Sequence, residues 1–210
     1  MIPPKRTNSI LKGVNHISRG YQIVKRGADL LFSALLLFLL ALPMAIIALA
    51  VGLTSRGGVL FRQIRLGRNG APFVCYKFRT MRREAPQNCP SATLENPQKW
   101  ITPVGRFLRK TSLDELPQLW NVLRGQMSLV GPRPLIPMEE TVHELRHRLG
   151  ADRLRPGITG LAQIRGRDFL SDRVKAAWDA RYLRRKSPRE DARILLTTLR
   201  QVLSASDIRQ

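Results

Sequence analysis

The sequence predicts an α/β fold of the α+β kind, mostly helical with one small β-hairpin, preceded by a long apolar helix that is broken near its middle. Three observations predict it. Residues 30–53 form an apolar run, residues 59–81 have the pattern of two strands joined by a tight turn, and residues 138–149 and 172–204 have helical patterns. A length of 210 residues suits one domain with an appended segment.

The apolar run, LLFSALLLFLLALPMAIIALAVGL, contains no charged residue. A continuous helix of that length would measure about 36 Å and could cross the hydrocarbon core of a membrane. Pro43 cannot donate a backbone hydrogen bond, so the Leu42–Pro43 step predicts a break. Lys25 and Arg26 precede the run and Arg56 follows it, which favours the cytoplasmic side for both ends. These features favour a re-entrant helix, which enters and leaves the same leaflet, over a kinked span or a buried helix of a soluble protein.

The segment after the run, VLFRQIRL then GRNG then APFVCYKFRTM, predicts a hairpin with an Asn-Gly turn. Because it is rich in arginine and no acid lies between Asp29 and Glu84, we expect it to lie against anionic lipid head groups of the inner leaflet. A solvated basic face is the alternative. The predicted segments of the chain are a basic lead-in (1–24), the re-entrant helix (25–56) and a compact cytoplasmic domain (57–210).

The whole chain carries 36 Lys and Arg against 15 Asp and Glu, a formal net charge of +21. Such a charge predicts anionic partners, and nucleic acid, anionic lipid and phosphorylated substrates all fit. We expect no nucleic acid, because no motif of that class is present and the apolar run has no place in such a protein. A membrane-surface scaffold without catalysis is the other alternative. Cys75 and Cys89 fit no CxxC pattern and are expected to be free thiols in a reducing compartment.

The stretch KTSLDELPQLWNVLRGQMSLVGPRP places Asp114 and Glu115 side by side in this basic chain. Arg109 and Arg133 lie nearby in the sequence, and neighbouring cations favour the ionised form of a carboxylate. Two adjacent carboxylates allow one to ligate Mg²⁺ and the other to attack phosphorus. The metal and the arginines would then neutralise a diphosphate substrate. The structural alternative is a capping box, in which Ser112 and Glu115 merely begin a helix.

The segment HELRH, from His143 to His147, matches the zinc-protease pattern H-E-x-x-H. Zinc chemistry is disfavoured because the pattern fixes only three residues and no third ligand is evident. We interpret the surrounding EETVHELRHR as an exposed helix face with charge pairs three and four residues apart.

Several long motifs occur in a fixed order along the chain: KRGAD, FRQIRLGRNG, YKFRTM, VGRFLRKTSLDELPQLWNVLRG, MSLVGPRP and LRPGITGLAQIRGR. With them, from about Lys25 to the C-terminus, the chain resembles the bacterial initiating sugar transferases, the monotopic phosphoglycosyl transferases. Its length is similar to that of the minimal members, which lack the extra spanning helices of larger relatives. The usual break of their re-entrant helix is a Ser-Pro pair, where this chain has Leu42–Pro43.

The resemblance implies a reaction in two steps. Asp114 attacks the β-phosphorus of a UDP-sugar, releases UMP and holds the sugar phosphate as an acyl phosphate, which a polyprenol (undecaprenyl) phosphate then attacks. Glu115 ligates Mg²⁺. This is the first membrane step of exopolysaccharide, O-antigen, capsule or glycoprotein glycan assembly, at the cytoplasmic face of the bacterial inner membrane. The resemblance marks as substrate-binding residues Lys77, Pro132, Arg133, Gln163, Asp179 and Asp191. Arg79 and Arg109 are further candidates for substrate binding. The sequence leaves open which sugar is transferred and whether the protein forms a homo-oligomer.

Overall fold

The computed structural model describes residues 19–55, 57–86, 96–166 and 169–204, so most of the predicted lead-in and Cys89 lie outside the described residues. The helices are α1 (Arg19–Leu39), α2 (Ala41–Thr54), α3 (Pro103–Thr111), α4 (Gln118–Leu123), α5 (Glu140–Leu149), α6 (Asp172–Arg185) and α7 (Pro188–Ser204). The strands are β1 (Leu60–Leu66), β2 (Pro72–Phe78), β3 (Ser128–Val130) and β4 (Gly157–Thr159). Mostly helical structure with two small sheets in the described residues confirms the α+β prediction.

Helices α1 and α2 form a pair bent by 63° at Leu40. In the described part of the chain no single helix is long and apolar enough to cross a membrane, whereas this bent pair meets that test jointly. The bend precedes the predicted Leu42–Pro43 step by two residues. The reason is that a proline ring collides with the carbonyl four residues earlier, here that of Leu39. Pro43 itself lies in the first turn of α2, where backbone N–H groups have no partner within the helix, so the missing N–H of proline costs no hydrogen bond.

The first half of α1 is polar and is tied to the rest of the protein. Arg26 donates from Nη1 to the carbonyl of Val122 (2.7 Å) and from Nη2 to that of Leu123 (3.1 Å). Asp29, which is 3% exposed, accepts hydrogen bonds from Ser128 Oγ at 2.8 Å and from the Leu129 amide at 3.2 Å. The apolar part of α1 that follows is largely exposed, so one helix serves as both an anchor to the domain and an apolar arm.

Strands β1 and β2 form the predicted antiparallel hairpin, with Leu60 opposite Phe78 and Leu66 opposite Pro72. Asn69 adopts the left-handed conformation (φ 56°) that an Asn-Gly turn requires. Alternate side chains of β2 enter the core, where Phe73 and Cys75 pack with Val122 and Met127. This packing fixes the register of the hairpin and aligns the end of β2 with α4.

The chain then forms α3, a 3₁₀ turn over Leu113–Glu115, and α4. Thr102 caps α3 by accepting a hydrogen bond from the Gly105 amide at 2.9 Å. Gly105 lies against the backbone of Thr80, where an added Cβ would be 2.1 Å from the Thr80 oxygen. The predicted capping box is wrong: Ser112 is left-handed (φ 56°) and its side chain makes no cap bond. Backbone hydrogen bonds close the turn instead, from the Glu115 amide to the Ser112 carbonyl (3.2 Å) and from the Leu116 amide to the Leu113 carbonyl (3.3 Å).

Strands β3 and β4 pair in parallel, Ser128 with Gly157 and Val130 with Thr159. The pairing brings the GPRP loop after β3 against the LRPGITG segment. There the Gly131 amide donates to the Thr159 carbonyl at 2.9 Å, and the Gly157 amide donates to the Pro132 carbonyl at 2.8 Å. Leu129 and Val130 belong to the main core with residues of α4, α6 and α7. The GPRP loop is thus fixed from behind by two backbone bonds.

The helices predicted over 138–149 and 172–204 are confirmed as α5 and as the pair α6 and α7. The interpretation of α5 as an exposed face is wrong in part, because Val142 is 2% exposed and Arg146 is 6% exposed. Arg146 is buried since it meets an opposite charge, Asp179, on α6. Such a contact between helices leaves no trace in the local charge pattern.

Candidate active site

A shallow cleft lies between the end of β2, the turn before α4 and the GPRP loop. Its lining comes from four separate parts of the chain and is strongly basic. The lining residues are Arg65, Cys75, Lys77, Glu115, Gln118, Arg133, Pro134, Gly157, Ile158 and Gln163. Four of the residues singled out in the sequence, Lys77, Glu115, Arg133 and Gln163, therefore meet in one place.

Asp114 lies on the 3₁₀ turn and is 9% exposed. Its neighbours Leu113 and Leu116 pack onto a cluster formed by Val51 of α2, Phe78 and Leu108. Burial raises the pKa of Asp114 to about 6, with the charge of Glu115 adding to it, while the cations of Lys77 and Arg109 oppose the rise. The carboxylate is thus held in an apolar setting beside the bent helix pair.

Glu115 faces the cleft and forms an ion pair with Lys77, whose Nζ lies 2.6 Å from Oε1. Both side chains are roughly one fifth exposed, so the pair is partly shielded from water. The same lysine is the strongest of the charges that lower the pKa of Asp114. Lys77 therefore balances both carboxylates of the adjacent pair.

Arg109 approaches Asp114 from α3, and its Nε donates to Thr80 Oγ1 at 3.0 Å. Burial lowers the pKa of the Arg109 guanidinium, and the nearby charge of Asp114 raises it. Thr80 directly follows Arg79, whose backbone amide donates to the Val59 carbonyl at 2.9 Å. The Arg79 guanidinium lies against Gly57, where α2 passes into β1, and Arg79 does not line the cleft, so its role as a substrate-binding residue stays a prediction.

Arg133 of the GPRP loop lines the cleft, and a buried ion pair supports its backbone. Arg146 donates from Nη1 to the Arg133 carbonyl at 2.7 Å and contacts Asp179 Oδ2 through Nε at 2.8 Å and Nη2 at 2.7 Å. Asp179 is 1% exposed. Asp179 therefore supports the loop through Arg146, and Pro132 does not line the cleft. The role of both as substrate-binding residues stays a prediction.

Asp191, at the start of α7, lies in a network that reaches α1. It accepts hydrogen bonds from Tyr182 at 2.6 Å and Tyr21 at 3.1 Å, and Lys25 Nζ lies 3.1 Å from its Oδ2. Lys25 also pairs with Asp29 at 3.2 Å. These contacts tie the polar half of α1 to α6 and α7, and substrate binding by Asp191 stays a prediction.

Gln163 closes one side of the cleft. Its Nε2 donates to the Ile158 carbonyl at 2.9 Å, which fixes the amide. Its Oε1 is buried and has no hydrogen-bond partner among the described residues. A fixed, unpaired acceptor in the wall of a cleft is suited to a donor on a bound ligand.

Among the Arg, Lys, Glu and Gln residues of the lining, Arg65 and Gln118 were not predicted from the sequence. Arg65 donates to the Pro134 carbonyl at 3.0 Å, and its side chain is 14% exposed. Burial, and next the charge of Arg133, lower the pKa of its guanidinium. Two guanidinium groups that repel each other in a cleft favour a bound anion. No local signal singles Arg65 out, because the FRQIRLGRNG motif also contains Arg62 and Arg68.

The adjacent carboxylates fit Mg²⁺ held jointly with a phosphorylated ligand. Mg²⁺ commonly takes one or two carboxylates from a protein and its other ligands from phosphate and water. Within the described ranges no group of three or more His, Cys, Asp and Glu side chains could hold a metal. The HELRH histidines do not form such a group. His147 Nδ1 lies 2.7 Å from Asp152 Oδ2, and His143 Nε2 is buried with no partner in the described structure.

Comparison with known proteins gives the class first: the chain is a transferase. It belongs to the bacterial sugar transferase family, whose family model matches residues 20–205. That range includes the bent helix pair, the hairpin and every residue of the cleft.

Three relatives show the range of the similarity. The chain is 41% identical over 170 residues to the uncharacterized sugar transferase EpsL of Bacillus subtilis, covering 79% of this chain and 78% of that one. It is 42% identical over 173 residues to the UDP-glucose:undecaprenyl-phosphate glucose-1-phosphate transferase of Caulobacter vibrioides (77% and 63%). It is 40% identical over 163 residues to the undecaprenyl-phosphate galactose phosphotransferase of Salmonella typhimurium (70% and 34%). The chain thus spans about a third of the length of some curated relatives that it matches.

Proposed function

We propose that this protein is a phosphoglycosyl transferase that moves a sugar 1-phosphate from a UDP-sugar to a polyprenol phosphate and releases UMP. Family membership and the names of the relatives support the reaction type. The observation that carries the proposal is the position of Asp114, a buried carboxylate near the charges of Lys77 and Arg109 and next in sequence to Glu115, which lines a basic cleft. An anionic diphosphate would meet both positive charge and a nucleophile there.

The reaction proceeds in two displacements at phosphorus. In the first, a carboxylate oxygen of Asp114 bonds to the β-phosphorus of the UDP-sugar and the bond to UMP breaks, so UMP leaves with the electron pair. In the second, a phosphate oxygen of the acceptor lipid bonds to the same phosphorus and the acyl phosphate bond breaks, which regenerates the carboxylate. This course is covalent catalysis with ping-pong kinetics.

The residues of the cleft have separate tasks. Arg65 and Arg133 bind the diphosphate of the donor, and Lys77 keeps Asp114 ionised and orients Glu115 through their 2.6 Å ion pair. Glu115 is the residue that would hold Mg²⁺. When bound, Mg²⁺ neutralises charge on the phosphates, which would otherwise repel the attacking carboxylate.

The bent pair α1 and α2 inserts into the cytoplasmic leaflet of the bacterial inner membrane as a re-entrant helix. The 63° bend and the exposed apolar side chains support this, since Phe38 is 80% exposed, Leu42 is 71% exposed and Leu53 is 79% exposed. The core that α2 shares with the turn of Asp114 supports a position of this nucleophile close to the membrane, where the acceptor head group lies. Anionic lipids of that leaflet attract the basic hairpin.

The reaction is tested with detergent-purified protein, Mg²⁺, undecaprenyl phosphate and a panel of UDP-sugars, with UMP release as the measurement. The panel includes UDP-glucose and UDP-galactose because relatives named for either sugar have similar identity, 42% and 40%. We expect release with at least one sugar, and its loss when EDTA removes the metal. Absence of UMP release with every UDP-sugar tried contradicts the proposal.

A further inference from the structure

One buried side chain joins the hairpin to the helix that follows the two adjacent acids. Asn121 of α4 is 0% exposed. Its Oδ1 accepts a hydrogen bond from the Tyr76 amide at 3.1 Å. Its Nδ2 donates to the Val74 carbonyl at 2.7 Å and to Gln126 Oε1 at 2.8 Å. These partners assign the orientation of the amide, because the reverse orientation would face donor with donor and acceptor with acceptor.

The two bonds to β2 lie on the edge of the hairpin that faces away from β1. The Arg79 amide donates across the hairpin to the Val59 carbonyl at 2.9 Å. Backbone groups of successive residues point to opposite edges of a strand, so those of Val74 and Tyr76 point away from β1. Among the described residues this sheet has two strands, so no strand pairs with that edge of β2. The Asn121 amide supplies one donor and one acceptor there instead.

Helix α4 is continuous with the turn that carries the acids, since the Leu119 amide donates to the Leu116 carbonyl at 3.1 Å. Glu115 lies on that turn, and Lys77 is the residue of β2 that follows the amide bound by Asn121. Lys77 Nζ and Glu115 Oε1 are 2.6 Å apart. Asn121 therefore joins the two segments of the chain that supply this ion pair.

We propose that Asn121 is a positioning residue of the active site, whose amide holds β2 against α4 and so sets the contact of Lys77 with the two acids. The proposal rests on the transferase function proposed above. Asn121 is fully buried and does not line the cleft, so it acts through Lys77 and not on the substrate. The attraction between charges weakens with distance, so a displaced β2 would leave Asp114 and Glu115 less well balanced.

Three substitutions distinguish the bonds of this amide. Asn121→Leu keeps a similar shape but removes the donor and the acceptor that β2 requires. Asn121→Ser is the milder variant, because it frees room for about one water, which can pair the strand groups without holding β2 directly. Gln126→Leu is the matched control, since it removes the third bond of the amide and leaves both bonds to β2.

The first half-reaction reports the effect on Asp114. Exchange of labelled UMP into UDP-sugar, measured without acceptor, requires the acyl phosphate and no lipid. In Asn121→Leu we expect exchange at pH 7 to fall about fivefold and the acid limb of the rate to move to higher pH, because the charge of Lys77 lowers the pKa of Asp114. The KM for the UDP-sugar should change less than about twofold, since the arginines of the cleft are untouched. Asn121→Ser should behave likewise with a smaller effect, and Gln126→Leu should resemble the wild type.

A double-mutant cycle with Lys77→Met separates positioning from a general loss of structure. In that background no cation is left for Asn121 to position, so Asn121→Leu should lower exchange less than about twofold. An equal loss in both backgrounds, or an acid limb that does not move, would overturn the proposal. The Tm of every variant is measured, and Asn121→Ser takes the place of Asn121→Leu in the cycle if the latter is unfolded at the assay temperature. Failure of the transferase function itself is distinct, because wild-type protein would then show no exchange.

Discussion

Two buried carboxylates of this protein have opposite surroundings. Asp179, 1% exposed, receives two charged hydrogen bonds from Arg146, and the pair supports the backbone of the GPRP loop. Asp114, 9% exposed, lies near Lys77 and Arg109 but also beside Glu115, and Lys77 bonds directly to Glu115. Burial raises the pKa of both carboxyl groups. Asp179 is balanced by its own partner, whereas Asp114 shares its partner with another acid.

The difference teaches how a structural carboxylate is told apart from a reactive one. A carboxylate that is fully bonded to a guanidinium is a poor nucleophile, because its lone pairs are engaged. A buried carboxylate whose neighbouring cations also bind other side chains is less stabilised in its ionised form by the folded protein, and it is more reactive. The presence of two adjacent acids in the sequence does not by itself tell a reactive carboxylate from a structural one. The difference depends on which carboxylate the Lys77 side chain contacts.

The largest expected effect is the difference in UMP release between a variant of Asp114 and a variant of Asp179. Asp114→Asn should lower UMP release by about 10³-fold or more, because an amide cannot form an acyl phosphate. Asp179→Asn should lower it far less, through a loosened GPRP loop. Both rates are measured on folded, detergent-solubilised protein with the best UDP-sugar. Equal losses in the two variants would break the comparison.

Thermal stability should be affected in the reverse order, with the larger loss in Asp179→Asn and little or none in Asp114→Asn. Asp179→Asn leaves Arg146 buried without its countercharge, which costs about 3 kcal/mol. In Asp114→Asn we expect an unchanged or higher Tm. The folded-state pKa of Asp114 lies above its ordinary value, so the fold loses stability as pH rises from about 4 through about 6, and asparagine removes that loss. Thermal unfolding at pH 7 measures both. The double variant Asp179→Asn with Arg146→Met should recover part of the first loss, and no recovery would contradict the ion-pair account.

The smallest effect concerns pH. Asp114 must be ionised to attack, so UMP exchange should be full above its pKa and fall as pH drops through about 6. Lys77 lowers that pKa, so Lys77→Met should move the acid limb to higher pH and reduce exchange at pH 7 about tenfold. The exposed Lys99→Met is the control for charge loss. An acid limb that stays in place in Lys77→Met would mean that another group sets it.

Local signals predicted much of the fold. The Asn69–Gly70 turn needed only its own residues, and the helical periods of α5 to α7 were sufficient without tertiary information. Three details were not predicted, and of these the burial of Arg146 depends on a distant contact. The bend moved from the Leu42–Pro43 step to Leu40, through a clash one turn earlier. Ser112 adopted a left-handed cap, and Arg146 was buried by a charge on another helix.

In the site, too, the features set by local sequence were predicted and those that depend on tertiary contacts were not. The adjacent carboxylates and the cations near them were visible in the sequence, and the structure brings Lys77 to Glu115 across 38 positions. Arg65 was missed because a strand arginine in a basic hairpin has nothing local to distinguish it. The supporting positions of Asp179 and Asp191 could not be predicted either, since both depend on partners contributed by other helices.

The most direct test of the central claim is the chemical state of Asp114 after the first half-reaction. Wild-type protein is incubated with Mg²⁺ and its UDP-sugar without acceptor, quenched, digested with trypsin and analysed by mass spectrometry. Cleavage after Lys110 and Arg124 gives a peptide, residues 111–124, that contains both acids. We predict a sugar phosphate on this peptide that fragmentation places on Asp114 and that added undecaprenyl phosphate removes. An adduct on Glu115 or elsewhere, or UMP release with no adduct formed, would contradict the account.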